Sequence, residues 1–439
     1  MDIVNQLHFD YLVLGNHEFD YGEDVLCQRM RESNSTWLGS NVTYAANGKL
    51  LDGLCDVSIR TFTVGPIGNE DTIRVGFFGI CTPATPQMSY PTKKVAFLPV
   101  IETAKRCVRE LKAQGADLIV ALTHVSLPED RLLASTVTQI DLILGGHEHT
   151  PMAVFEGSTL ILKCGQNAEH LGVVDLRVEI TRTPTTRHVR MYPSWRLVVN
   201  RAQPDAELSA FIDQVLHHAQ QHQTAENQQH GDVHEPLVKI KGTLLTLTDT
   251  LRRKEGSMGN MIADALVSFY EGAELGVING GFVRGDRVYE EDVTLTVDDL
   301  LRELPFPRAV TMVGMKGAAI KRMFEQQLRF LPDPSGAFPH ISRGWQVEYD
   351  PSQAVNKRVV SVRFKGVPVD DNHEYKVVCT EFMAGGGDGI TAFTEGPVLS
   401  PELKESDKTI ISSVVIKYLR YVPGGTYTLA LGRMKNILG

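Results

Sequence analysis

The sequence predicts an α/β protein of two domains, and three observations carry that reading. In the first half, apolar strands of four or five residues end at Asn or His beside Gly: DYLVLGNHEFDYG (Asp10 to Gly22), DLIVALTHVS (Asp117 to Ser126) and DLILGGHEHT (Asp141 to Thr150). Near the middle, the polar tract HQTAENQQHGDVHEP interrupts the pattern. Beyond it a second series of strand and glycine-loop signals begins, including VINGGFVRGD (Val277 to Asp286). Runs without polar alternation suit strands buried on both faces, and ligands collect at the carboxyl ends of such strands.

The three strand ends are expected to bring Asn16, His17, His124, His147 and His149 onto one rim. Imidazole nitrogens with an amide oxygen suit borderline metals such as zinc, manganese or cobalt. A single His after a strand is more often an ordinary loop residue; the conjunction of three such ends makes the metal site.

Composition narrows the class. A chain of 439 residues with 42% hydrophobic content can bury two cores. No run approaches the roughly eighteen apolar residues of a membrane helix. The formal net charge of −9 argues against a nucleic-acid polymer as substrate but allows a locally basic pocket. Cys27, Cys55, Cys81, Cys107, Cys164 and Cys379 show no CxxC spacing and leave the compartment open, cytoplasmic or secreted. Cys107 and Cys164 lie among apolar residues and read as buried thiols. Asn34-Ser35-Thr36 and Asn41-Val42-Thr43 form glycosylation sequons of a kind that arises often by chance.

Taken in order, residues 1–200 form the first domain. VNQLHFDYLVLG reads as a helix end feeding a strand, IRVGFFGI (Ile73 to Ile80) as a strand, and Val100 to Ala113 as a helix capped by Gly115. Residues 201–234 are the linker, with a helix from Asp205 to about Gln223 that fades into the polar tract. Its His217, His218, His222 and His230 have no fixed ligand spacing and read as a solvated face. In the second domain, 235–439, LRRKEGSMGNMIADAL opens a helix in which Asn260 and Asp264 are structural. After the strand ending at Asn279, two glycines let the backbone approach a ligand, and Arg284 can offer a guanidinium fork to phosphate. Phe338 sits in a loop before WQVEYD, and Phe382 follows YKVVCT just before Gly385, Gly386 and Gly387.

GNHEFDYG, ALTH and GGHEH resemble the metallophosphoesterase signature, in the form found in the 5′-nucleotidase and 2′,3′-cyclic-nucleotide phosphodiesterase family. The likeness covers nearly all of the chain. It implies a first domain that is an αββα sandwich, with TLILKCG and GVVDLRVEI in its second sheet, followed by a C-terminal α/β nucleotide-binding domain. It implies two divalent metal ions (Zn, Mn, Co or Mg), with Asn16, His124 and His147 as ligands of the second and His149 of the first. His17 oriented by Asp20 becomes the catalytic pair. Asn279 shapes the phosphate loop and Arg284 binds phosphate; Phe338 and Phe382 stack on opposite faces of the base, and Asp388 contacts the ribose. The implied reaction is hydrolysis of a nucleoside monophosphate to nucleoside and phosphate, in a cleft between the domains. An inactive nucleotide-binding form and a metallophosphoesterase of non-nucleotide substrates are the alternatives.

The chain also departs from the family. No Asp-x-His and no Gly-Asp precede Asn16, so a bridging carboxylate and two ligands of the first metal are missing. The chain is therefore expected to begin inside its first domain and not to form a normal dinuclear centre. Phe282 stands where the family has Gly, and Pro307-Arg308 replace small polar residues after Pro305-Phe306. Arg308 is a candidate for a further phosphate contact.

Overall fold

The computed structural model of the protein describes every residue except 90, 184–185, 227–233, 401–408 and 439, and omits the side chains of 219–226. His222 and His230 of the polar tract therefore lie outside the described side chains. The chain divides into two compact units, Met1–Gln220 and Gln221–Gly439.

In the first unit the central sheet has six strands. Four are mutually parallel: β2 (Asp71–Cys81), β3 (Leu118–His124), β4 (Leu142–Gly145) and β5 (Thr159–Cys164). Antiparallel edge strands, Val57–Val64 and Pro151–Glu156, complete it. The continuous apolar runs have a direct cause, because both faces are covered. Phe78, Ile119, Ala121, Ile143 and Ile161 pack on one side with the helix α1 (Val100–Ala113), while Val75, Leu118, Val120, Leu142 and Leu160 fill the other. α1 ends at the predicted place, with Gly115 at φ 84°.

Two expectations are corrected. TLILKCG is β5, hydrogen-bonded in register beside β4 in the central sheet, rather than a strand of a second sheet. The first apolar run gives a short strand β1 (Tyr11–Val13) in a separate parallel sheet with Thr36–Leu38 and Leu54–Cys55. GVVDLRVEI does leave the central sheet, pairing along its length with Arg187–Val199. Cys107 is buried as expected, but Cys164 is only partly so. Asn41 of the second sequon is fully buried, its amide bonded to the backbone of Cys81, so it presents no acceptor for a glycan.

In the second unit a four-stranded sheet runs in the order β7 (Val310–Lys316), β9 (Glu374–Thr380), β6 (Leu275–Asn279) and β8 (Pro339–Ile341). The helix α3 (Ser257–Phe269) is buried along most of its length in this unit's core. Asn260 and Asp264 hold structure, as expected. Asn260 bonds Glu255 and the Ala430 carbonyl, and Asp264 pairs with Arg343 and Arg433. Among the described residues no helix is long and apolar enough to cross a membrane.

Candidate functional site

In the first unit Asn16, His124 and His147 are brought together. Asn16 is buried just after β1, at the start of a short 3-10 turn. His124 closes β3, and its Nε2 lies 3.1 Å from the Asn16 amide oxygen. The His147 ring stands edge-on to His124, with centroids 5.1 Å apart. His147 is held at φ 71°, a left-handed backbone that costs energy for a residue with a side chain and that recurs at functional sites. Burial, reinforced by His147 and His17, pulls His124 down to about 3; burial also lowers His147. Both shifts favour the neutral ring, the form that carries a lone pair.

This donor set fits a divalent cation. The Asn16 amide oxygen and the His124 Nε2, at hydrogen-bond distance from each other, are close enough that both could face one cation. Among the described residues no three His, Cys, Asp or Glu side chains form such a group alone, so a cation here would need the amide oxygen of Asn16 as well. His149 is exposed, and its charge also acts on His124. Glu148, between the two histidines, instead accepts from the Leu127 N–H at the start of the helix α2 (Leu127–Thr136).

His17 and Asp20 are paired, Nδ1 to Oδ2 at 2.8 Å, within one turn. The Asp20 side chain is 3% exposed and that of His17 is 45% exposed, so a fixed carboxylate holds a ring that still reaches solvent. Glu18, between them, turns inward to accept the Gly15 N–H, and burial raises its carboxyl.

The second unit carries another cluster. Asn279, fully buried at the end of β6, donates through its amide to the Asp388 carboxylate and accepts from Gln327. Asp388 itself sits at φ 54°. Burial raises its carboxyl, against the Asn279 hydrogen bond and the cations Arg252, Arg329 and Arg284. The Arg284 Nε donates to the Gly281 carbonyl, and its guanidinium lies 5.1 Å over the Phe306 ring. Arg308 lies 5.5 Å from the same ring, so Phe306 carries two cations. Phe382 is half-buried, edge-on to Phe282 with ring centroids 5.9 Å apart. A Cβ on Gly387 would fall 2.3 Å from the Phe382 ring, so only glycine allows that ring to lie there.

Phe338 departs from its expected place. Its exposure is 1%, and its ring packs edge-on against His340 and Tyr349 in the core. The Gly280 N–H donates to the Phe338 carbonyl, which draws this loop against the β6 loop. A ring enclosed in this way offers no open face opposite Phe382. Arg252 was read from the sequence only as part of a helix-opening segment, with no role in a site. It sits in LRRKEG with its Nε buried and without a hydrogen-bond partner, and Asp388 and Asp286 are the charges acting on it.

Comparison with known proteins agrees with both halves. Residues 2–151 match the calcineurin-like phosphoesterase model, and residues 238–395 match the model of the 5′-nucleotidase C-terminal domain. The chain is 27% identical to the trifunctional nucleotide phosphoesterase protein YfkN of Bacillus subtilis, covering 90% of this chain but only 28% of that one. It is 25% identical to human 5′-nucleotidase, over 94% of this chain and 75% of the human one. Among solved structures, the 5′-nucleotidase precursor from Thermus thermophilus superposes with a TM-score of 0.78 at 25% identity, over all of this chain and 86% of that one.

Proposed function

From the premise that the chain belongs to the 5′-nucleotidase family, a calcineurin-like phosphoesterase domain joined to a 5′-nucleotidase C-terminal domain, we propose that it is a metal-dependent phosphoester hydrolase of nucleotides. The reaction is cleavage of a nucleoside monophosphate to nucleoside and inorganic phosphate. The observation that carries the reading is the convergence of Asn16, His124 and His147, beside a His17–Asp20 pair, in a chain whose other unit gathers arginines around Asp388.

Asn16, His124 and His147 would hold a divalent cation, of the Zn, Mn, Co or Mg group. A bound cation supplies Lewis-acid polarisation of the phosphoryl oxygens and activation of water. The remaining roles belong to side chains. His17, when protonated and held by Asp20, gives its proton to the departing ribose oxygen as the phosphorus–oxygen bond breaks. Arg284 binds phosphate, with Arg252 as a second cation. Phe382 offers its ring to the base, and Asp388, fixed by Asn279, accepts from ribose hydroxyls. Interactions remote from phosphorus thus orient the reacting group.

One observation favours a second reading, a nucleotide-binding protein that turns over slowly. The donors of the trio are all neutral, so nothing in that set offsets the charge of two adjacent cations. Phosphate release from AMP, bis(p-nitrophenyl) phosphate and a sugar phosphate, with and without added divalent metal, tests both. The hydrolase predicts metal-dependent release with AMP preferred. AMP binding without release supports the second reading. Release that survives chelation defeats the metal dependence, and release that favours the sugar phosphate defeats the nucleotide assignment.

A further inference from the structure

Lys163 is an anomaly in β5: a lysine with no exposed surface, in the midst of an apolar strand. An ammonium has three protons to donate and none can be left unpaired in a core without large cost. All three are used. Lys163 Nζ lies 2.7 Å from the Val125 carbonyl, 2.8 Å from the Gly146 carbonyl and 2.8 Å from the Asp130 carboxylate. Val125 follows His124, and Gly146 precedes His147. Asp130 comes from α2, the helix that starts just beyond His124, and is likewise fully buried.

Space is also reserved for this tripod. In the sheet, Lys163 is the register partner of Gly145. A Cβ at Gly145 would meet the Asp130 carboxylate at 3.0 Å and the Lys163 stem at 3.2 Å. A buried ion pair is a poor device for stability alone, because apolar residues of similar volume often do as well or better. A pair that spends two of its hydrogen bonds on the backbones next to two metal-ligand candidates has a geometric consequence instead.

We propose that Lys163, balanced by Asp130, is a positioning residue that fixes the separation and orientation of His124 and His147 by tying together the two loops that carry them. The inference rests on the metal-site reading given above. Groups behind the first ligands orient them, and their loss lowers metal affinity about 10–100-fold.

The test uses the 439-residue chain with Co2+ as probe, reading affinity by competition against a chromophoric chelator and ligand geometry by the visible absorption of the bound ion. Lys163→Met alone leaves Asp130 buried and unpaired, so Lys163→Met/Asp130→Asn, which leaves no charge behind, is the main variant. Thermal unfolding of the metal-free proteins reports the fold separately. The expected result is a folded double variant that binds Co2+ at least about ten-fold more weakly, with a changed spectrum. A folded double variant with parental affinity and spectrum overturns the proposal and leaves the pair as core packing. Should the double variant not fold, Gly145→Ala crowds the tripod while keeping its members. A several-fold loss of affinity there supports the role, and parental binding overturns it. A parent chain that binds no Co2+ defeats the metal-site reading and this inference together.

Discussion

In the first unit the candidate site is made of neutral donors at the ends of buried strands; in the second it is made of cations around a carboxyl in loops. Asn16 and His124 meet at 3.1 Å with His147 alongside, and burial favours the neutral form of both rings. Arg252, Arg284 and Arg329 act on Asp388, whose charge is opposed by burial and favoured by those neighbours. Neutral donors with open lone pairs are suited to a cation, and arginines to an anion. Under the proposed function, metal and phosphate handling fall to different parts of one chain, and each proposal can be broken separately.

The largest effect is expected in the first unit. His147→Ala removes a donor and should abolish stoichiometric metal binding, together with any turnover. His17→Ala should cut turnover strongly while leaving metal content near parental, because the His17 ring is bonded to Asp20 and lies outside the donor trio. Metal analysis of the two purified variants decides the matter. Equal depletion in both would erase the proposed division between ligand and proton donor.

The first unit was the more legible. Strands covered on both faces leave an unbroken apolar signature, and their ends carry His or Asn, so β3, β4 and α1 could be placed from the sequence. What failed there was partnership. TLILKCG reads the same whether it joins the central sheet or another, because strand pairing is a long-range choice that periodicity does not encode. For the same reason Lys163 passed unnoticed: its three acceptors come from three other segments. In the second unit the glycine-flanked loop after Asn279 pointed to Arg284, while Asp388 came only from the family resemblance. The burial of Phe338 and the approach of Arg252 were not legible, since a phenylalanine in a loop can turn either inward or outward.

Phe338 gives the next effect in size, and it sharpens the contrast between packing and recognition. Removing a fully enclosed phenylalanine typically costs about 3–5 kcal/mol. Phe338→Ala should therefore lower stability by that amount in urea unfolding. A variant that is as stable as the parent but binds AMP poorly would return Phe338 to the stacking role first expected of it.

A related core position predicts a pH dependence. His340 is wholly buried, accepting the Gly256 N–H on Nδ1 and donating from Nε2 to the Leu251 carbonyl. Burial pulls its imidazole from 6.5 down to about 4. As pH falls, the unfolded chain takes up this proton first, so the contribution is fully present above pH 6.5 and is lost progressively towards pH 4. The loss is about 3 kcal/mol, at roughly 1.36 kcal/mol per pK unit. Urea unfolding of the full chain at about pH 7, 5.5 and 4.5 should show it, and His340→Gln should flatten the slope. An unchanged slope in that variant would place the acid sensitivity elsewhere.

The smallest effects separate the parts of the second cluster. A charge-assisted contact from arginine contributes about 1.5–3 kcal/mol, and stacking on an aromatic about 1–3 kcal/mol per base. Arg284→Ala should weaken AMP and inorganic phosphate alike, by about ten-fold or more. Losing its contacts with the Gly281 carbonyl and the Phe306 face leaves the backbone bond from Arg284 N–H to the Glu303 carbonyl in place, so the loop should survive. Phe382→Ala should weaken AMP by a similar factor yet leave phosphate binding nearly unchanged, because an aromatic ring has nothing to offer a phosphate oxygen. Calorimetric titration of the full chain with each ligand reads both variants. If Phe382→Ala loses phosphate binding, the ring is supporting the Arg284 loop through Phe282. If AMP binding persists in the double variant, the nucleotide is held somewhere other than between Phe382 and Arg284.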